Sequence, residues 1–356
     1  MSSIVINART LTQPLTGIQR YAYEVIKRFP RLKLVAPGQP ISAFNDINLQ
    51  HFLVVNQFLG GHLWEQLVLP TMISNKDLLW SPGGLGAICV SKQVLTIHDV
   101  ASFEYPQWYS KKYTLLYNTV WPKLIPKLPR ILTVSEFSKE RISSILKVPK
   151  EKIFVTPHGI DTRFSPQSQE VIKDKLQRLG VNQPYILALS AISPRKNFQR
   201  LYEAWKILCS RLSDVWLVVV GEQGLAFSGK ISQEEMPPRT LYLGRVDDMY
   251  LPALYSGALT FVYPSLYEGF GIPPLEAMAC GTPVVTSNLT ALPEVVGEAA
   301  IIINPYDIEE IAWGIQKIVE SSTMQESLRI KGLKRVQSFT WEHTSTLTWK
   351  ALQDIA

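Results

Sequence analysis

Glu268 and Glu276 stand eight positions apart in EGFGIPPLE, with Gly269, Gly271, Pro273 and Pro274 between them. An ionised carboxylate only accepts hydrogen bonds, and its two oxygens match the two hydroxyls of a vicinal diol. Prolines hold φ near the helical value and tolerate the loss of an N–H at a helix start. The spacing therefore predicts a short helix opening at Pro273 and Pro274 and closed by Gly281 and Pro283, with Glu276 in its first turn and Glu268 in the glycine-rich loop before it. At that helix amino terminus the N–H groups of Phe270, Gly271 and Ile272 favour an anion or a set of hydroxyls. For either glutamate alone, a complemented helix dipole or a solvated loop charge is the plainer explanation. The pair with its glycines and prolines points instead to one ligand with a diol at each end and a diphosphate between, which describes a nucleotide sugar.

Such groups need a scaffold that delivers loops to one edge. In the first half, SIVIN (3–7), QVLTI (93–97), RILTV (130–134) and KIFVT (152–156) read as strands, with helices at 17–29 and, capped by Ser135, at 136–146. In the second half the strands are YILALS (185–190), WLVVVG (216–221), TLYLG (240–244), ALTFVY (258–263), PVVTS (283–287) and AIIIN (300–304). Short Val/Ile/Leu runs alternating with amphipathic stretches are the rhythm of parallel sheets. The expected fold class is α/β with two Rossmann-like doubly wound domains, 1–165 and 166–339, and a last helix, about 340–356, packing back on the first. ALTFVY then brings Glu268 to the carboxyl edge of its sheet, where open α/β sheets bind ligands.

With 356 residues, 46% of them apolar, the chain has material for two cores. No run is long and apolar enough for a membrane span, and the amino terminus lacks the hydrophobic stretch of a secretion signal, so a cytoplasmic location is expected. Cys89, Cys209 and Cys280 are too far apart for a disulfide framework or a zinc site. Residues 1–165 carry 19 Lys/Arg against 10 Asp/Glu, a net +9, whereas 166–356 carry 17 against 20, a net −3. The first half is thus suited to an anionic partner, whether phosphate, lipid headgroup or nucleic acid.

The stretch EGFGIPPLEAMACGTPVV resembles the E-x7-E signature of retaining glycosyltransferases of the group 1, or family four, type. The resemblance, which extends over most of the chain, implies a GT-B fold with its two domains facing each other across a cleft. It implies that Glu268 reaches the donor sugar, that Glu276 binds the ribose diol, and that the amides of Phe270, Gly271 and Ile272 hold the sugar. SAISPRKN (190–197) resembles the phosphate-binding loop, with Lys196 matching its lysine. Ser190-Ala191 replaces the usual Gly-Arg pair, and the missing cation's task is assigned to Arg195. LGRVDDMYLPALYSGA resembles the segment that contacts the base, which nominates Arg245 and Val246. Asp247-Asp248 lacks the D-x-D pattern and is read as helix capping. PLTGIQRYAYEV resembles the loop and helix that approach the donor phosphate through Gly17, and LTIHDVASFEYP places His98 after a strand where the family keeps an active-site histidine.

The implied reaction is a front-face transfer with retained configuration, needing no metal or cofactor, in which His98, Glu268 and Lys196 are catalytic. The donor is expected to be UDP-glucose, with GDP-mannose second, and the acceptor a saccharide or polyprenyl-linked saccharide of cell-surface polysaccharide synthesis. Residues 107–130 contain Lys111, Lys112, Lys123, Lys127 and Arg130 interleaved with Trp108, Tyr109, Tyr113, Tyr117 and Trp121, and no acidic residue. The segment either leans on an anionic membrane, placing the enzyme at its inner face, or packs its aromatics into the core with its lysines solvated. The competing readings are another GT-B enzyme such as an epimerase, and a non-catalytic basic nucleotide- or nucleic-acid-binding protein. No recognised RNA- or DNA-binding motif is present, so no nucleic-acid partner is expected.

Overall fold

The structure is a computed structural model and describes residues 3–30, 32–44, 52–55, 59–189, 191, 193–222 and 236–356. Ser190 and Ile192 of the SAISPRKN loop lie outside the described residues. The chain forms two compact units, Met1–Gly159 with Phe339–Ala356, and Ile160–Ser338.

The strands of the first unit are β1 (Ile4–Asn7), β2 (Lys33–Ala36), β3 (Phe52–Val54), β4 (Leu78–Ser81), β5 (Gln93–Thr96), β6 (Arg130–Thr133) and β7 (Ile153–Val155). They lie in the order β3-β2-β1-β4-β5-β6-β7, all parallel among the described residues. The second unit has β8 (Tyr185–Leu189), β9 (Trp216–Val220), β10 (Thr240–Gly244), β11 (Thr260–Tyr263), β12 (Val284–Ser287) and β13 (Ala300–Ile303). Their order is β10-β9-β8-β11-β12-β13, again parallel. Helices cover both faces of such sheets, which is why central strands such as TFVY and VVTS are buried at every position.

All six second-unit strands coincide with the apolar runs of the sequence. In the first unit β2, β3 and β4 escape that reading. They are three or four residues long, and β2 begins on the exposed Lys33. Helix Gly17–Ile26 and helix Glu136–Leu146 form where expected, and Ser135 Oγ accepts from Ser138 N at 3.0 Å to cap the latter.

The last helix, Trp341–Gln353, is capped by Thr340 Oγ1, which accepts from His343 N at 3.2 Å. Trp341, Ala351 and Leu352 share a core with Val94, Trp80 and Leu132, so the chain's end completes the first unit. Gly159 lies against the backbone of Thr340 and Trp341, with no room for a Cβ. Thr344 Oγ1 donates to Pro157 O at 2.5 Å beside it.

Candidate functional site

In each sheet the direction of winding reverses between two strands, and the crevice beyond their carboxyl ends is where such sheets hold ligands. In the second unit the reversal lies between β8 and β11. The connection after β8 leads to the 3-10 turn Pro194–Lys196, and that after β11 carries Glu268. Asn197 ends the turn in the left-handed region at φ 61°. Its buried amide donates to Pro264 O at 3.1 Å and Pro305 O at 2.7 Å, while Leu266 N donates to Arg195 O at 2.8 Å. These bonds stitch the two connections together and fix Lys196 against Glu268.

Lys196 Nζ lies 2.5 Å from Glu268 Oε1. The same oxygen accepts from Ser265 Oγ at 2.6 Å and Tyr263 OH at 3.0 Å. Tyr263 OH also meets Lys196 Nζ, whose charge lies over its ring at 4.8 Å. Burial would raise the Glu268 pKa, but the charges of Lys196 and Arg195 and the hydrogen bonds from Lys196 and Ser265 outweigh it and bring the group to about 2. Glu268 is therefore a fixed anion. Oε1 takes the donors of Lys196, Ser265 and Tyr263, and a carboxylate's second oxygen is an acceptor suited to a hydroxyl.

Helix Ile272–Ala279 follows at once. Gly271 precedes it at φ 111°, a conformation open mainly to glycine, and a Cβ there would come within 2.7 Å of Leu292 Cδ2. Because the helix opens at Ile272 rather than at the prolines, Glu276 falls in its second turn and not in its first. Pro273 and Pro274 have no N–H, so only Ile272 and Leu275 among the first four helical residues bring one. Phe270 and Gly271 are buried and Ile272 half-buried. Glu276 Oε2 accepts from Tyr255 OH at 3.1 Å. Burial, reinforced by this carboxylate, holds the Tyr255 phenol well above its ordinary pKa, so it remains a donor.

Arg245 and Val246 follow the edge strand β10, which β9 separates from β8, and the exposed Arg245 lies 3.6 Å from the exposed Glu222. Asp247 caps the following turn by accepting from Met249 N at 2.9 Å, and Asp248 pairs with Arg163 at 2.9 Å. Among the described residues no group of three or more His, Cys, Asp or Glu is placed to hold a metal ion.

In the first unit the reversal lies between β1 and β4, and His98 follows the neighbouring β5. His98 Nε2 lies 3.0 Å from Pro82 O, a carbonyl that can only accept, so this nitrogen carries the proton. His98 Nδ1 is buried with no hydrogen-bond partner among the described residues. A Cβ on Gly83 would touch Ile18 Cγ2 and lie 4.0 Å from His98 Nε2. The start of helix Gly17–Ile26 and His98 are thus neighbours across Gly83. Burial lowers the His98 pKa against the opposing pull of Pro82 O and Asp99, leaving a neutral ring.

Sequence reasoning missed the residues that support these groups. Tyr263 and Ser265 were unmarked in the VYPSLYE run, although Ser265 stands three residues before Glu268. His158 stacks on His98 with centroids 5.5 Å apart, and Tyr21 meets both rings edge-on at 5.0 and 5.2 Å. The available signal was position, since His158 comes three residues after β7 much as His98 comes two after β5.

The basic aromatic segment divides in two. On helix Lys111–Leu124, Tyr117 and Trp121 are core residues, with Trp121 Nε1 donating to Leu85 O at 3.1 Å. Arg130 lies over the Phe154 ring and donates to Ala351 O. Lys111, Lys112, Lys123 and Lys127 are exposed, as is Leu115 at 71%.

Two parallel-sheet Rossmann-like units of this kind make up the GT-B fold. Anabaena HepE in complex with UDP-glucose superposes with a TM-score of 0.76 at 20% identity, over 99% of this chain and 98% of that one. The profile of "Glycosyl transferases group 1" matches residues 170–335, and that of "Glycosyltransferase Family 4" matches 15–164. The "O-antigen chain mannosyltransferase B" of Escherichia coli is 31% identical over 98% of both chains. The "O-antigen chain mannosyltransferase RfbU" of Salmonella typhimurium is 29% identical over 62% of this chain and 58% of its own length. The chain belongs to the group 1 glycosyltransferase family and is a hexosyltransferase.

Proposed function

We propose that this protein is a retaining mannosyltransferase that takes mannose from GDP-mannose and adds it to a saccharide or lipid-linked saccharide in cell-surface polysaccharide synthesis. The observation that carries the reading is the fixed Glu268 anion meeting Lys196 at the switch point of the second sheet. One group accepts hydroxyls and the other takes up phosphate charge. The names of the relatives turn the sugar toward mannose and leave UDP-glucose as the second candidate donor.

In the proposed reaction the bond from the anomeric carbon to the diphosphate breaks as the acceptor oxygen bonds on the same face. The acceptor's proton passes to the departing diphosphate. Lys196 and Arg195 take up the leaving charge, which assigns that task to side chains rather than to a metal. Glu268 Oε2 accepts a sugar hydroxyl, Glu276 binds the ribose diol, and the Gly271 turn brings backbone close to the sugar. Gly17 serves the phosphate, and His98 orients the sugar through the unoccupied lone pair of its neutral ring. Arg245 and Val246 keep the role of base contact as a proposal. The exposed lysines of helix Lys111–Leu124 support peripheral attachment to an anionic membrane, the source of a polyprenyl-linked acceptor.

The test is nucleotide release from GDP-mannose, UDP-glucose and other UDP-, GDP- and ADP-sugars, with the product's anomeric configuration read by NMR. Turnover of GDP-mannose with retained configuration is expected. Turnover confined to UDP-sugars would replace the donor, an inverted product would remove the front-face step, and no turnover with any donor would remove the enzyme reading.

A further inference from the structure

Glu268 Oε1 is overcommitted. A carboxylate oxygen offers two lone-pair directions, yet Lys196 Nζ, Ser265 Oγ and Tyr263 OH all converge on this one. The ammonium is about one-tenth exposed and the carboxylate equally so, so each strongly depends on the other for compensation. Lys196 is also the cation to which the proposed reaction assigns the donor's diphosphate. A diphosphate carries more charge than a carboxylate and presents several acceptor oxygens to a lysine. The two anions therefore claim one short-tethered ammonium, and Asn197 holds the turn that bears it.

We infer that Glu268 and the donor diphosphate compete for Lys196, so that nucleotide binding draws the ammonium off Glu268 and leaves Oε1 to Tyr263 and Ser265, whose two hydrogen bonds match its two lone pairs. This rests on the donor-site reading above and adds to it a coupling between the two halves of the donor. Once Lys196 turns to phosphate, the carboxylate loses its counter-ion, and Oε2 becomes a stronger, charge-assisted acceptor for a sugar hydroxyl. Tyr263, which touches Lys196 and Glu268 together, stays behind as a neutral donor, so the carboxylate keeps hydrogen bonds while it loses its counter-ion. Linkage makes the effect reciprocal: if nucleotide weakens the hold of Glu268 on Lys196, Glu268 weakens the binding of nucleotide to the same degree.

The experiment is a double-mutant cycle on the full chain, with GDP and UDP each titrated by calorimetry and the sugar left out. Glu268→Gln keeps shape and removes charge, and it should bind the preferred nucleotide about tenfold more tightly than the unaltered protein. Lys196→Met should bind it at least about tenfold more weakly. In the Lys196→Met background, Glu268→Gln should gain nothing further. Should Glu268→Gln fail to fold, Glu268→Ala carries the same expectation. Unchanged affinity in Glu268→Gln overturns the competition. So does an equal gain with Lys196 absent, since direct repulsion between carboxylate and phosphate would then be the whole effect. If neither nucleotide binds the unaltered protein, or Lys196→Met binds as well as it does, the donor-site reading fails first and takes the coupling with it.

Discussion

His98 and His158 lie face to face in the first unit, their ring centroids 5.5 Å apart and their planes 26° from parallel. Burial depresses both, and for His158 the nearby His98 adds to the effect, so neither ring is charged near neutral pH. Stacked aromatic pairs contribute about 0.5–1.5 kcal/mol beyond the area they bury. His158→Phe, which keeps a ring against His98, should retain most transfer activity. His158→Ala should lower kcat about tenfold with a smaller change in donor KM. The 15N shifts of His98 separate orientation from stability: the proton stays on Nε2 in the Phe variant, whereas the Ala variant shows mixed tautomers. An Ala variant with full kcat and an unaltered tautomer would remove His158 from this role.

The charge on Glu268 gives the second unit a characteristic acid response. Burial works against ionisation, and Lys196, Arg195 and Ser265 overcome it to place the pKa at about 2, below the ordinary value of about 4.3. A depressed carboxylate contributes stability that is complete above its unfolded pKa and is lost as the pH falls toward the folded one. The contribution is on the order of 3 kcal/mol and fades between roughly pH 4.5 and 2. Between pH 5 and 3 the unaltered protein should lose thermal stability more steeply than Glu268→Gln, as measured by scanning calorimetry. Parallel slopes would show that the pair contributes little.

The glutamate pair, its helix and the strands around it were legible because local rules and tertiary packing agree there. TFVY is apolar on both faces, and two prolines and a glycine punctuate the helix. The second-turn position of Glu276 was missed because proline is tolerated throughout a first turn, so Pro273 and Pro274 fit N2 and N3 as well as N1. Tyr263 and Ser265 were invisible for another reason. Nothing in VYPSLYE says which hydroxyls turn toward a carboxylate, and the answer depends on Lys196, 72 residues away in sequence. In residues 107–130 the mixed aromatic and basic composition fitted two environments, and only helical phase separates buried Tyr117 and Trp121 from exposed Leu115 and Lys123.

Tyr255 orients Glu276 through its 3.1 Å hydrogen bond. Glu276→Ala should chiefly weaken donor affinity, by about tenfold or more, as a charge-assisted bond to a diol is lost. Tyr255→Phe removes only the orienting hydroxyl and should cost a smaller factor, with kcat nearly unchanged. Calorimetric donor titration distinguishes them, and unchanged binding in Glu276→Ala would end the ribose assignment.

Gly159 holds the last helix to the first unit by letting backbone meet backbone at Thr340 and Trp341. Gly159→Ala forces these segments apart and should destabilise the first unit by about 2 kcal/mol or more, the range of overpacked sites. A fall in the first thermal transition, with nucleotide affinity of the second unit retained, is the expected result. An unshifted melting curve would mean that the last helix yields freely.

Helix Lys111–Leu124 turns Tyr117 and Trp121 inward and leaves Lys111, Lys112, Lys123 and Leu115 on its solvent side, with Lys127 just beyond. All four lysines are exposed, so their charge is available to an anionic surface. Each lysine near such a surface contributes about 1 kcal/mol, and the attraction weakens with salt. Four together would hold the protein on vesicles rich in phosphatidylglycerol, whereas uncharged phosphatidylcholine vesicles should leave it in solution. Replacing Lys111, Lys112, Lys123 and Lys127 by glutamate should abolish cosedimentation while largely sparing transfer to a water-soluble acceptor, because these side chains are exposed and none packs in the core. Equal sedimentation of the quadruple variant would show that attachment, if present, uses another face.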